Sequence, residues 1–252
     1  MSVNIWNTDE IKNQKEIINK PKLEEKVVLG DMTVAGGSSR KNTYIPNNGW
    51  WTYPNEIKLT KRNGNDLLVL VNKEYRLSES YAPNDLVLAS NAGIRKGESH
   101  RVRNIIIDDL RELVNQAKSD GIDLSIRSGY RSYAEQLTTY NYWLRVNGNN
   151  SDDADKVSAR AGHSQHQLGT VVDFSSSEIQ DGIEGQFHTT KAAKWLEQNA
   201  YKYGFVISFP KGYESTTGYS YESWHYRYIG KSNAQEMKSR GEILEIYLRN
   251  KN

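Results

Sequence analysis

The chain has 252 residues, of which 37% are hydrophobic and 25% are charged, and its formal net charge at pH 7 is only +2. Because positive and negative residues are mixed along the chain, its charge does not indicate a nucleic-acid-binding protein. The sequence contains no cysteine, which excludes disulfides and thiolate metal ligands and leaves His, Asp and Glu as the strong ligands. The length fits one domain with an extension, or two small domains.

No segment contains the ~18 consecutive apolar residues that a membrane-spanning helix needs, so no span is predicted. The first residues, MSVNIWN, also lack the basic and then apolar regions of a signal peptide. Two interpretations follow: the protein works without export, or a leader has been removed from an exported protein.

Residues 1–65 are polar, rich in Lys, Glu and Asn, and interrupted by glycine-containing stretches. We predict that they form an N-terminal extension or linker and that residues 66–252 form the folded domain. The extension contains one aromatic cluster, Trp50, Trp51 and Tyr53. Packing against the following domain is favoured for this cluster over stacking on a ligand.

The pattern of apolar residues becomes regular after Asp66. The apolar run over residues 67–71 predicts a buried strand. Apolar positions at helical spacing predict a helix within residues 100–119 that ends before Gly121. The alternation of Ile122, Leu124 and Ile126 with polar residues then predicts a half-buried strand.

The remaining elements alternate irregularly between helix and strand. Helices are predicted over about 133–146, about 189–203 and the last 20 residues, and strands over 171–174, 205–209 and 222–229. Since there is no regular βαβ repeat, the pattern favours the α+β class.

Two stretches near the C-terminal end carry the residues that indicate chemistry. The first contains His166 and Asp173, and the second contains Glu222 and His225. Two imidazoles and one carboxylate form a three-ligand zinc site that leaves a position for water, and Glu222 is then a spare carboxylate that can take a proton from it. Residues three apart on a regular strand face opposite sides, so a bend near Ser223 is required for Glu222 and His225 to meet.

The other three histidines fall outside this set. His163 lies three residues before His166 and is interpreted as supporting a ligand or facing solvent, with direct coordination of the metal as the alternative. His100 and His188 have no ligand spacing and are predicted to be structural.

Three sequence motifs, which occur in the same order along the chain as in the family, resemble those of the VanY-type D-alanyl-D-alanine carboxypeptidases and the related L,D-carboxypeptidases. The metal motif S-x-H-x-x-G-x-x-x-D is matched by residues 164–173, and E-x-W-H-x-R-Y is matched by residues 222–228. The upstream element S-G-Y-R-S-x-x-x-Q is matched by residues 128–136. The resemblance covers about residues 66–230. It departs from the family's pattern at Gln165, Val171 and Ser208, which are positions where substrate preference can differ from that of the family.

The resemblance implies a small central antiparallel sheet flanked by helices, with a zinc site on the sheet. It assigns the metal to His166, Asp173 and His225, the general base to Glu222, and the stabilisation of an oxyanion or carboxylate to Arg131. Substrate-binding residues are then predicted near these groups: Ser128, Tyr130, Gln136, Ser164 and Trp224. For Trp224, packing beneath the site is the favoured role, and Arg227 is predicted to be structural.

The activity that the resemblance implies is zinc-dependent removal of a C-terminal D-Ala from peptidoglycan stem peptides, either D,D on a pentapeptide or L,D on a tetrapeptide. Two alternatives remain: a peptidoglycan endopeptidase on the same fold, and a non-catalytic zinc-containing module that binds the cell wall. Such substrates lie outside the cytoplasmic membrane, so we expect an exported or membrane-anchored protein. Residues 1–65 are then the linker that remains after a leader or anchor.

Overall fold

The computed structural model describes residues 51–182 and 186–252. All of them belong to one compact unit, which extends from Pro46 to Asn252. Most of the predicted extension, including Trp50 of the aromatic cluster, lies outside the described residues. Trp51 contacts Arg249 and Tyr53 bonds to Tyr219, so both pack against residues within 66–252, as the favoured interpretation of the cluster predicts. The division into an extension over 1–65 and a catalytic domain over 66–252 stays a prediction.

Two small sheets lie outside the centre of the fold. In the first, β1 (Lys58–Leu59) pairs in parallel with β2 (Tyr75–Arg76). In the second, β3 (Leu86–Leu88) pairs antiparallel with β4 (Arg101–Arg103).

The central sheet has four antiparallel strands in the order β5-β6-β8-β7. The strands are β5 (Ser125–Ser128), β6 (Val171–Ser175), β7 (Phe205–Ile207) and β8 (His225–Tyr228). The α+β class and the small antiparallel sheet are therefore confirmed.

Seven α-helices of the described residues surround this sheet. They are α1 (Ile107–Ser119), α2 (Tyr133–Val146), α3 (Ser151–Val157), α4 (Lys191–Asn199), α5 (Glu214–Thr217), α6 (Lys231–Ser239) and α7 (Leu244–Lys251). The start of α2 is fixed by a capping box in which the Ser132 hydroxyl and the Glu135 carboxylate each accept a backbone N–H of the other residue. Among the described residues, no helix combines the length and the hydropathy needed to cross a bilayer.

The two faces of the sheet have different functions because side chains alternate along each strand. Val172, Phe174 and Tyr226 point into the main core, where the apolar faces of α1 and α4 cover them. Asp173 and His225, one position along, lie on the opposite face as directly paired residues. The core face thus stabilises the strands that present the site.

Several predicted elements agree with the structure, and α2 spans the predicted residues 133–146. The predicted helix within 100–119 is preceded by β4, and α4 ends at Asn199 before a short 3-10 turn. The helical C-terminal segment is divided into α6 and α7 near Gly241, whose φ is +62°. Helix α3, which Asn150 caps, was not predicted.

The buried strand predicted over residues 67–71 is wrong, although the run is buried or half-buried as expected. Its carbonyl groups find a side-chain partner rather than a neighbouring strand. Arg227 donates through Nη2 to the carbonyl oxygens of Leu67 (3.1 Å) and Val69 (2.6 Å). An apolar run shows burial, but its backbone conformation depends on where its hydrogen bonds go.

Candidate active site

Asp173 is at the centre of the site because of the sheet register. It pairs with Ser128 on β5 and with His225 on β8, so one carboxylate meets residues from both neighbouring strands. His166 comes from a 3-10 turn, Gln165–Leu168, in which the Ser164 hydroxyl accepts the backbone N–H of His166. Gly169, with φ +69°, then allows the chain to turn directly into β6.

The three predicted ligands converge and are almost fully buried. His166 Nε2 lies 3.2 Å from Asp173 Oδ2, and His225 Nδ1 lies 3.1 Å from Asp173 Oδ1. The two imidazole rings are nearly perpendicular, with centroids 5.0 Å apart. One ligand atom from each residue lies within 4.8 Å of the others. The three residues can therefore hold one metal ion, although Asp173 and His225 are 52 positions apart in the sequence.

The hydrogen bonds of His166 test whether a cation fits. Its Nδ1 lies 2.6 Å from the carbonyl oxygen of Gly129, so Nδ1 must carry the proton and donate it. In the neutral ring, Nε2 then directs a lone pair at the carboxylate of Asp173, so two hydrogen-bond acceptors face each other. A cation bound by both groups would remove the repulsion between them. Burial alone would raise the pKa of Asp173, but the two neighbouring imidazoles, His166 and His225, hold it well below its usual range. The donor set of two nitrogens and one carboxylate suits zinc.

Glu222 reaches the same point from a turn at Ser223 and Trp224 that precedes β8. This turn is the bend that the sequence required, and the strand predicted over 222–229 begins only at His225. The carboxylate Oε2 lies 3.3 Å from His225 Nδ1. Burial raises the pKa of Glu222 to about 7, and the Asp173 charge adds to this, against the opposing effects of His225 and Arg131.

Arg131 lies three residues after the end of β5, close enough to Asp173 and Glu222 to interact with their charges. Its Nη1 donates to Gln136 Oε1 (2.8 Å) and its Nη2 donates to Ser128 Oγ (3.1 Å). Its backbone N–H donates to the carbonyl oxygen of His166. Burial lowers the pKa of the guanidinium, whereas the charges of Asp173 and Glu222 raise it. Of the predicted substrate-binding residues, Ser128 and Gln136 thus contact Arg131 and orient its fork.

The remaining predicted substrate-binding residues lie around these groups. Ser164 uses its hydroxyl to cap the His166 turn. Tyr130 is half-exposed, and the Arg101 guanidinium lies 5.6 Å from the centre of its ring. Trp224 packs, partly buried, against the main core, and its carbonyl oxygen accepts from Phe174 N–H. Trp224 therefore has a packing role, and its place beneath the site stays a prediction.

The other histidines are not among the ligand residues. His163 is buried, its Nδ1 is bonded to the Asn72 carbonyl oxygen at 2.8 Å, and its ring meets Tyr53 edge-on. His188 is exposed, and His100 is half-buried at the start of β4. Of the two roles favoured for His163, the burial of its ring against Tyr53 excludes exposure to solvent, and support of a ligand stays a prediction.

Sequence reasoning assigned no role to the aromatic residues that support His225. The Phe209 ring lies 4.9 Å from both the His225 ring and the Tyr219 ring. The departures Gln165 and Ser208 also contact each other, since Ser208 Oγ donates to Gln165 Oε1 at 2.8 Å. Phe209 and Tyr219 are aromatic residues close to Glu222 in the sequence, and this was the local signal of a role in the site. Their spacing did not show that Phe209 contacts the rings of both His225 and Tyr219.

Comparisons with known proteins agree with this geometry. The family model VanY, described as D-alanyl-D-alanine carboxypeptidase, matches residues 99–231. The putative carboxypeptidase YodJ of Bacillus subtilis is 36% identical over 202 residues, which are 77% of this chain and 73% of that protein.

Two solved structures are similar in fold and in sequence. The LdcB LD-carboxypeptidase superposes with a TM-score of 0.67 at 35% identity, covering 75% of this chain and 88% of that chain. A mutant of the vancomycin-resistance D,D-pentapeptidase VanY in complex with Zn(II) superposes with a TM-score of 0.60 at 30% identity, covering 72% and 98%.

Proposed function

This chain belongs to the VanY family of D-alanyl-D-alanine carboxypeptidases, which are zinc-dependent peptidases, and we propose that it removes one C-terminal D-Ala from peptidoglycan stem peptides. The observation that supports this most strongly is the meeting of three buried ligand residues with a separate carboxylate and a separate guanidinium. A binding module needs only the metal ligands, whereas hydrolysis also needs a proton acceptor and a positive charge.

We assign His166, Asp173 and His225 as the zinc ligands. Zinc bound there supplies Lewis acidity, which lowers the pKa of a water molecule and polarises a carbonyl group. The chain orients the ligands through contacts outside this set: Gly129 accepts from His166 Nδ1, and Ser208 N–H donates to the carbonyl oxygen of His225.

Glu222 acts in this proposal as general base and then as general acid. Its carboxylate lies beside His225 without being needed as a ligand, so it is free to take a proton from the attacking water. A carboxyl group whose pKa is about 7 can accept that proton and return it to the leaving amine at neutral pH.

Arg131 supplies positive charge for the substrate. A guanidinium presents a planar fork of donors, which matches an oxyanion or a carboxylate. Because Gln136 and Ser128 already hold the fork, little side-chain entropy is lost when substrate binds. Tyr130 and Ser164 lie close enough in sequence and structure to Arg131 and His166 to contribute further contacts, and the proposal retains them as substrate-binding residues.

The substrate also determines where the protein acts. Peptidoglycan stems lie outside the cytoplasmic membrane, so the proposal places the activity in the cell envelope. LdcB acts as an LD-carboxypeptidase and VanY as a D,D-pentapeptidase, and both resemble this chain.

The test is incubation of the zinc-loaded protein with purified pentapeptide and tetrapeptide stems, followed by mass spectrometry. Loss of one alanine from the pentapeptide assigns D,D-activity, and loss from the tetrapeptide assigns L,D-activity. An internal cut would replace the proposal with an endopeptidase, and intact peptides with measurable binding would replace it with a wall-binding module.

A further inference from the structure

Tyr53 precedes the residues matched by the family model, yet its side chain reaches towards the catalytic residues. Its hydroxyl bonds to the Tyr219 hydroxyl at 3.1 Å and accepts the backbone N–H of Arg160 at 2.9 Å. The carbonyl of Trp51 occupies the space that a Cβ atom at Gly218 would need. The segment before Tyr53 therefore presses directly on the turn that carries Tyr219.

The Tyr53 ring is held between two cations. The Arg160 guanidinium lies 4.2 Å from the ring centroid, and the Lys73 ammonium lies 5.2 Å from it. Asp155 anchors both cations, since it pairs with Arg160 through its carboxylate and accepts from Lys73 Nζ through its carbonyl oxygen. Lys73 also lies 4.7 Å from the ring of Tyr219, so one ammonium group contacts both tyrosines.

Tyr219 is linked to Glu222 by two short routes. Along the chain it lies three residues before Glu222. Across the fold, its ring packs on Phe209, whose carbonyl oxygen accepts the Glu222 N–H at 3.0 Å and whose ring packs on His225. A displacement of Tyr219 therefore reaches both the proton-accepting carboxylate and a metal-ligand ring.

We propose that Tyr53 is a positioning residue for Glu222, which it holds in place through Tyr219 and Phe209. The inference rests on the proposed function, because Glu222 is the general base only if the chain hydrolyses a peptide. The segment that contains Trp51 and Tyr53 then supports the catalytic residues and is not only a tether. Tyr53 contacts neither substrate nor metal, so its effect is on the placement of Glu222.

Tyr53→Phe tests this because it removes only the hydroxyl. Tyr247→Phe is the matched control, since its hydroxyl also has two partners, Asn233 and Glu236, on the surface formed by α6 and α7. In Tyr53→Phe, kcat is expected to fall about tenfold with KM nearly unchanged, within the ~100-fold that a 1 Å misplacement can cost. The zinc content stays at the wild-type level, and Tyr247→Phe keeps the wild-type kcat.

Hydrogen exchange of the zinc-loaded protein provides a second readout that does not depend on turnover. The Glu222 amide, bonded to Phe209, and the Ser220 amide, bonded to Lys156, should exchange about tenfold faster in Tyr53→Phe and at the wild-type rate in Tyr247→Phe. In the double variant with Tyr219→Phe, the loss of kcat should not exceed that of Tyr219→Phe alone, because the proposed route from Tyr53 to Glu222 passes through the Tyr219 hydroxyl.

Unchanged kcat in Tyr53→Phe, or a lower kcat with wild-type exchange at Ser220 and Glu222, overturns the proposal. Additive losses in the double variant overturn it as well. Failure of the wild-type protein to release D-Ala would instead refute the proposed function, and the exchange comparison would still decide whether Tyr53 holds the Glu222 segment.

Discussion

Replacement of His163 by Asn should make the protein less sensitive to acid. His163 is only 4% exposed, and burial lowers the pKa of its imidazole to about 4, although the bond to the Asn72 carbonyl opposes this. The unfolded chain, by contrast, binds the proton near pH 6.5. Asn keeps an amide N–H that can replace Nδ1 but cannot titrate.

The sign follows from the number of protons bound by each state. Between about pH 6.5 and pH 4 the unfolded chain carries a proton at His163 and the folded chain does not, so protons favour unfolding. The stabilisation from the neutral imidazole is complete above pH 6.5 and is lost as the pH falls towards 4. From pH 7.5 to pH 5 this amounts to about 2 kcal/mol, out of about 3 kcal/mol for the whole window.

Urea unfolding at pH 7.5 and pH 5 measures this change in the free energy of unfolding. A chelator is present so that zinc release does not contribute. Wild type should lose about 2 kcal/mol more than His163→Asn between the two conditions. The variant has a lower stability at pH 7.5, because Asn fills less of the space beside Tyr53, but this loss is the same at both pH values. The exposed His188→Asn variant should follow the wild type. Equal pH dependence in wild type and His163→Asn would refute the reasoning.

Two further predictions concern Arg131 and Ser132, the two residues that precede α2. Arg131→Lys keeps the charge but loses the fork that bonds Gln136 and Ser128, so kcat/KM should fall ~100-fold while the zinc content stays at the wild-type level. A loss below threefold would exclude a role for the fork. Ser132→Ala removes the capping box and should lower the free energy of unfolding, measured in urea, by about 1 kcal/mol, whereas Thr138→Ala at an exposed position of α2 should change it by less than about 0.5 kcal/mol. Equal effects of the two variants would show that the cap adds no stability.

Local patterns predicted the elements whose causes are local. The capping residues Ser132 and Glu135 lie three apart at the start of α2, and that helix has the predicted bounds. The failure over residues 67–71 has a distant cause, because the carbonyl groups there bond to Arg227, about 160 positions away. No local pattern contains that partner.

The sequence indicated which residues belong to the candidate active site better than it indicated how they are arranged. Asp173 and His225 meet because β6 and β8 pair in one register, and the bare sequence does not fix that register. The motif resemblance indicated the pairing, and the need for a bend located the turn before His225. The contact between Tyr53 and Tyr219 spans 166 positions and lies outside every motif, so only the folded chain reveals it.

The most direct test of the account measures bound zinc and D-Ala release on the same samples of wild type, Glu222→Gln and His225→Ala. Glu222→Gln should keep one zinc per chain and lose at least ~100-fold in turnover, because its amide cannot accept the proton. His225→Ala should lose both zinc and turnover, because it removes one of three ligands. Wild-type turnover in Glu222→Gln, or full zinc content in His225→Ala, would contradict the assignment of Glu222 as the base and of His225 as a ligand.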